Sequence, residues 1–160
     1  MIGSLHTMSY LEPHSAFGRF IARFKRTQKV NILEQYEKYN VRAFDLHLYF
    51  VGNKGRAIFK YGGIEYQTFS VYEILNYLNS KENVYVRIVL EDNGEIIAEE
   101  NRQLLEKRFA EYCKIIDSIY PNMKFFGGYR EYDFKQIYQF KDDAPDNLIF
   151  YKRVDKLNKQ

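Results

Sequence analysis

VRAFDLHLYFVGNKGRAIFKY, residues 41–61, decides the fold. Its first eleven residues are rich in β-branched and aromatic side chains and read as a strand. Alternation puts Phe44, Leu46 and Leu48 on one face and Asp45, His47 and Tyr49 on the other, so the second face reads as a polar mouth or lumen. The connection Gly52-Asn53-Lys54-Gly55 is too short for a parallel crossover, so Arg56 to Tyr61 is expected to return as a hairpin partner. Centring the turn there sets His47 opposite Lys60 and leaves Tyr61 one residue out of register, which a bulge would correct.

Upstream, residues 1–5 read as a first strand ending at His6, followed by a polar loop with Thr7, Ser9, Pro13 and His14. Ser15 to Val30 carries Phe17, Phe20, Ile21 and Phe24 at helical spacing, with Arg19, Arg23, Lys25, Arg26 and Lys29 and no acid, a basic amphipathic stretch. Asn31 with Glu34 has the form of a capping box opening a short helix to about Tyr39. Downstream, Ser70 and Glu73 repeat that box ahead of Ile74, Leu75 and Leu78. Val84 to Glu91 is a β-branched strand with Arg87 and Glu91 on one face.

Leu104, Leu105, Phe109, Tyr112, Ile116 and Ile119 predict one long helix from about Ala98 to Tyr120, stopped by Pro121. Met123 to Phe126 reads as a short strand, Asp133 to Phe140 as a short helix, Lys141 to Asn147 as a loop and Leu148 to Val154 as a last strand. Strands separated by helical patterns argue for an α/β sheet or barrel. A closed eight-fold barrel takes about 250 residues, so 160 residues imply a partial or incomplete TIM-like (β/α) barrel. The expectation is one α/β domain over 1–160, with its motifs in 1–91 and weaker patterning in 92–160.

Composition narrows the function. Hydrophobic residues make up 46% of the chain, enough for one core, and the net charge of +3 is too small to argue for a nucleic-acid partner. The one cysteine, Cys113, excludes an intrachain disulfide and a multi-cysteine metal site, and is expected on the apolar face of its helix. The first ten residues, MIGSLHTMSY, have neither the basic nor the apolar part of a signal peptide, and no uncharged apolar run approaches a membrane span. A cytoplasmic protein is the expectation.

Four pieces in order, GSLHTMSYL at 3–11, Gln28 with NILEQYEKYNVRAFDLHL at 31–48, KYGG at 60–63 and FSVYEILNYLNSKENVYVRIVLE at 69–91, resemble the catalytic X region of the phosphatidylinositol-specific phospholipase C superfamily, particularly its bacterial branch. The resemblance implies a phosphodiesterase acting on inositol lipids or related phosphodiesters. By position, His6 matches the family's first histidine, the general base, while Asp45 matches the acid of its Phe-Asp-x-Arg pattern and Gly62 the glycine of its His-Gly pair. Thr7 stands in place of an aspartate, His47 in place of the arginine and Tyr61 in place of the second histidine. The strands that complete the family barrel are missing, which implies a degenerate, C-terminally shortened member.

These departures have chemical consequences. A phenol with a pKa near 10 is a poor proton shuttle beside an imidazole near 6.5. A histidine offers one nitrogen per direction where arginine offers a charged fork. The catalytic expectation therefore names His6 as base, Tyr61 as a poor acid, and Asp45 and His47 as orienting and phosphate-binding groups, with impaired activity. Arg87 and Glu91 are candidate substrate-binding residues. No resident cofactor is expected; calcium is the metal the family uses, and His6, Asp45 and Glu91 can hold a divalent cation although their spacing is not that of a metal motif. Expected partners are a phosphodiester or phospholipid head group, a membrane surface through residues 15–30 and, because an incomplete barrel leaves open strand edges, a second copy of the chain. The competing reading is a catalytically inactive binding or structural module that keeps the fold and a remnant pocket.

Overall fold

A computed structural model describes the chain at residues 1–11, 13, 15, 16, 19, 27–51, 56–61, 64–66, 70–92 and 99–157. His14, Gly62, the turn at 52–55 and most of the basic stretch at 15–30 lie outside the described residues. The strands are β1 (Ile2–Ser4), β2 (Val41–Val51), β3 (Arg56–Tyr61), β4 (Ile64–Glu65), β5 (Tyr85–Leu90), β6 (Lys124–Arg130) and β7 (Ile149–Tyr151). The helices are α1 (Ile32–Glu37), α2 (Val71–Asn79) and α3 (Glu99–Ile119).

The sheet is organised around β2. Its first half pairs parallel with β1, from Ile2↔Val41 to Ser4↔Phe44, and its last residues pair antiparallel with β3, from Leu48↔Phe59 to Val51↔Arg56. Its other edge takes β5 in parallel, from Ala43↔Tyr85 to Leu48↔Leu90. Because Phe44 pairs with both Ser4 and Val86, and Leu48 with both Phe59 and Leu90, β1 and β3 follow one another along the same edge. β7 extends the sheet beyond β1 and β6 beyond β5, both in parallel, while β4 folds back on β3.

The alternation that the sequence shows in β2 separates two chemically different faces. Phe44, Leu46, Leu48 and Phe50, with Val86, Ile88 and Leu90 beside them, are all 4% exposed or less. They form the core with Ile74, Leu75 and Leu78 of α2 and Leu105, Phe109, Cys113 and Ile116 of α3. Spacings of four and three residues put the α3 set on one stripe. Two residues expected on that stripe, Leu104 and Ile119, are instead 45% and 51% exposed. The other face carries Asp45, His47, Arg87 and Phe126, and it is concave. Five strands about 4.8 Å apart would hold β6 and β7 roughly 19 Å apart if flat, yet the Phe126 and Phe150 rings stack with centroids at 6.5 Å. Gly3 makes this curl practicable, because a Cβ there would lie 2.7 Å from the Phe150 ring.

The curl does not close, and the expected partial TIM-like barrel is overturned. The structure is an open, mixed seven-stranded sheet with three α-helices among the described residues. The physical reasons are local. The four-residue β2–β3 connection forces an antiparallel return, so β3 and β4 interrupt the series of parallel strands that α1, α2 and α3 connect. Asp133 to Phe140, expected as a helix, is a turn followed by extended chain that bridges Gln136 to Tyr129. β6 also runs past Phe126, because Gly127 and Gly128 take φ of 92° and 76° and let the strand bulge and continue to Arg130. No helix among the described residues is long and apolar enough to cross a membrane.

Candidate functional site

Strand ends bring His6, Asp45, His47, Tyr61, Arg87 and Glu91 together on the concave face. His6 follows β1 with φ 48° and ψ 58°, a left-handed conformation that costs an ordinary residue about 1–2 kcal/mol. Its backbone N–H donates to Asp45 Oδ2 at 2.9 Å, which turns the imidazole toward β2. Asp45, fully buried, is the hub. Its Oδ1 accepts from Arg87 Nε at 2.8 Å, its N–H donates to Thr7 Oγ1 at 2.7 Å, and its carbonyl accepts from the Tyr61 hydroxyl at 3.3 Å. Register explains the first contact, since Asp45 lies opposite Arg87 on adjacent parallel strands. Arg87 is held from the far side by Phe150, with its guanidinium carbon 4.0 Å from the ring centroid.

His47 lies two residues along the same face, 2% exposed, between two acids. Nδ1 pairs with Glu91 Oε2 at 2.7 Å. Nε2 forms an ion pair with Asp45 Oδ2 at 3.0 Å, its N–H poorly aimed at the oxygen. The His6 and His47 ring centroids are 4.7 Å apart at 81°, and Tyr61 lies 4.8 Å from the first and 5.1 Å from the second. Tyr61 thus reaches the site despite its place one residue out of register with His47. Its hydroxyl, however, is directed at the backbone of Met8 and Asp45.

The electrostatics follow from burial among unbalanced charges. Burial and then the neighbouring His47 lower the pKa of His6 to about 4, against the pull of Asp45 and Glu91. Burial opposes charge on His47 too, but Asp45 and then Glu91 outweigh it and raise that imidazole to about 9. Asp45 resists the upward push of burial because His47 and Arg87 hold it well below the usual carboxylate range. Burial, followed by the Asp45 charge, raises Tyr61 well above an ordinary phenol. A hydroxyl so held is a poor proton donor.

Sequence reasoning missed three contributors. Thr7, noted only as a departure from a family pattern, is buried and ties Asp45 to Ser4, its hydroxyl accepting from the Asp45 N–H and donating to the Ser4 carbonyl. Tyr129 and Glu131 reach the site because β6 bulges at two glycines and continues; burial raises both, with Arg87 opposing in Tyr129 and His47 in Glu131. The Gly127-Gly128 pair was the available signal. Two groups are disposed to hold a metal ion, His6 with Asp45 and His47, and His47 with Glu91 and Glu131; within each, the ligand atoms lie within 4.8 Å of one another.

No protein-family model, no curated protein and no solved structure matches this chain. The phospholipase C-like resemblance of the four motifs thus finds no counterpart there, and the TIM-barrel architecture it implied is replaced by the open mixed sheet.

Proposed function

We propose that the concave site binds a phosphodiester and activates an oxygen nucleophile against its phosphorus. The observation that supports this reading best is the pairing of two imidazoles, 4.7 Å apart, beside Arg87 at the carboxyl ends of parallel strands. In open parallel sheets that end is where ligands bind. His6 is the more exposed imidazole and meets the attacking oxygen. Arg87, anchored by Asp45 and Phe150, supplies positive charge for the phosphate oxygens. Tyr61 orders the backbone of Met8 and Asp45 and takes no proton role. With Tyr61 turned to the backbone, no proton donor for a leaving group is assigned among the described residues, and the best substrates are diesters whose alcohol departs unaided.

An activated aryl phosphodiester is therefore the assay substrate, with an inositol lipid beside it. The informative variant is His6→Asn, because asparagine tolerates the left-handed backbone while removing the imidazole. Loss of the activating group lowers the rate by about 10²–10⁴. Equal turnover by the parent and His6→Asn would end the reading. A non-catalytic module is the second reading, favoured by burial: Asp45, His47 and Glu91 are all 5% exposed or less. Absence of turnover on both substrates, with the fold intact, would select it.

A further inference from the structure

The charges of the site do not suit an anionic ligand unaided. Asp45, Glu91 and Glu131 contribute three carboxylates, and the two nearest cationic groups, Arg87 and His47, are already paired with Asp45 and Glu91. A phosphodiester adds another negative charge to this concave, largely buried space, where the effective dielectric is low and repulsion is felt. The site also gathers ligand atoms. His47 Nε2 lies 3.0 Å from Asp45 Oδ2 without a well-aimed hydrogen bond to it, and one ligand atom each of His6, Asp45 and His47 lie within 4.8 Å of one another.

We propose that His6, Asp45 Oδ2 and His47 Nε2 bind one divalent transition-metal ion. Two imidazoles and one carboxylate converging on a point are the donor set of open-sided sites for zinc, iron(II) and related ions. Calcium, which takes six to eight oxygens, is disfavoured by that set. The surroundings fit as well. Metal-binding histidines commonly give their other ring N–H to a carboxylate, and His47 Nδ1 lies 2.7 Å from Glu91 Oε2. Asp45 is oriented in the same manner, with Oδ1 fixed by Arg87 and Oδ2 left to the ion and to the His6 N–H. The left-handed turn at His6 brings the third ligand to the other two.

The ion's catalytic role rests on the phosphodiester reading; its binding does not. A water on the open side would have its pKa lowered toward about 7. It would lose a proton to solvent, and the hydroxide would form the new bond to phosphorus as the ester P–O bond breaks. The departing oxygen would take a proton from solvent, and His6 would meet the attacking oxygen through the ion it holds, not as a free base.

The test titrates the chelator-stripped full chain with cobalt(II), followed by visible absorption, with zinc competition by calorimetry. The proposal expects one ion per chain, cobalt displaced by zinc but not by millimolar calcium. His6→Asn should weaken binding at least tenfold or so, and Glu91→Gln by about 10–100-fold, with circular dichroism confirming the fold. Glu131→Gln, which removes only a neighbouring charge, should weaken binding less than either. No cobalt band at saturating metal overturns the site, as does equal affinity in His6→Asn; loss in Glu131→Gln alone moves the ion to the opposite nitrogen of His47 and overturns it too. Metal binding without turnover on the aryl diester would keep the site and reject the phosphodiester reading. Turnover that survives chelation, with no cobalt bound, would do the reverse.

Discussion

The two faces of β2 are built from alternate residues of one strand and solve burial in opposite ways. On one face Phe44, Leu46 and Leu48 are fully buried against α2 and α3, where packing alone satisfies them. On the other, Asp45 and His47 are just as buried, and what makes their burial tolerable is particular partners: each other, His6, Thr7, Tyr61, Arg87 and Glu91. Apolar burial is non-directional and forgives a change of shape. A buried ionic network is directional, and removing one member strands the others. The first face specifies that the chain folds; the second specifies where a few atoms sit.

The sharpest way to break this contrast is Asp45→Ala. The replacement removes the acceptor of the His6 N–H, the ion partner of Arg87 and one of the two acids flanking His47. Loss of one partner of a buried pair costs about 3–5 kcal/mol, and urea denaturation should show it. A loss under about 1 kcal/mol would mean that the network relaxes around the gap, contrary to its burial. Leu46→Ala, one residue along but on the packed face, should cost about 2–5 kcal/mol through a cavity that α2 and α3 only partly fill. The two must differ in kind. Leu46→Ala should keep cobalt binding in the folded fraction, and Asp45→Ala should abolish it.

The same contrast explains what was legible in the sequence. β2 and β3 occur at the boundaries read from alternation and turn chemistry, Val41–Val51 and Arg56–Tyr61, because both signals are local. Half of the Asn31 box is present, with Asn31 Oδ1 accepting from Glu34 N, while Glu34 Oε1 accepts from the Asn31 side-chain Nδ2 in place of its backbone N–H. Ser70 also caps, but through Tyr72 N. His6, Asp45, His47, Tyr61, Arg87 and Glu91 were each named from motif and face, and they do converge. What escaped depends on tertiary context. β4 has two residues and no period to read. Gly127 and Gly128 look like a strand end until positive φ turns them into a bulge. Phe134, at φ 58° and 70% exposed, sits in a turn closed by Arg130 with Asp133, and helical periodicity from 133 to 140 could not foresee that pairing. Whether a sheet closes is likewise a property of all its edges, which no single segment encodes.

The smallest expected effect tests whether the apolar face is sealed. Cys113 sits in the middle of α3, fully buried against the sheet, and burial, followed by the nearby Asp117, pushes its thiol well above the ordinary value. The thiolate is the reactive form, so a disulfide reagent at about pH 8 should find no thiol in the native protein and one equivalent in denaturant, where the pKa returns to about 8.5. The sign for stability follows from the raised folded value. The contribution of the buried neutral thiol is complete below the unfolded pKa of about 8.5 and is lost as pH climbs above it toward the folded one. Cys113→Ala should accordingly lose less stability than the parent between about pH 8 and pH 10, a difference readable as a smaller drop in urea midpoint. Labelling of the native thiol at the rate of the denatured chain would show that α3 lifts from the sheet without global unfolding. In that case the packed face, and not the ionic one, would be the mobile half of the molecule.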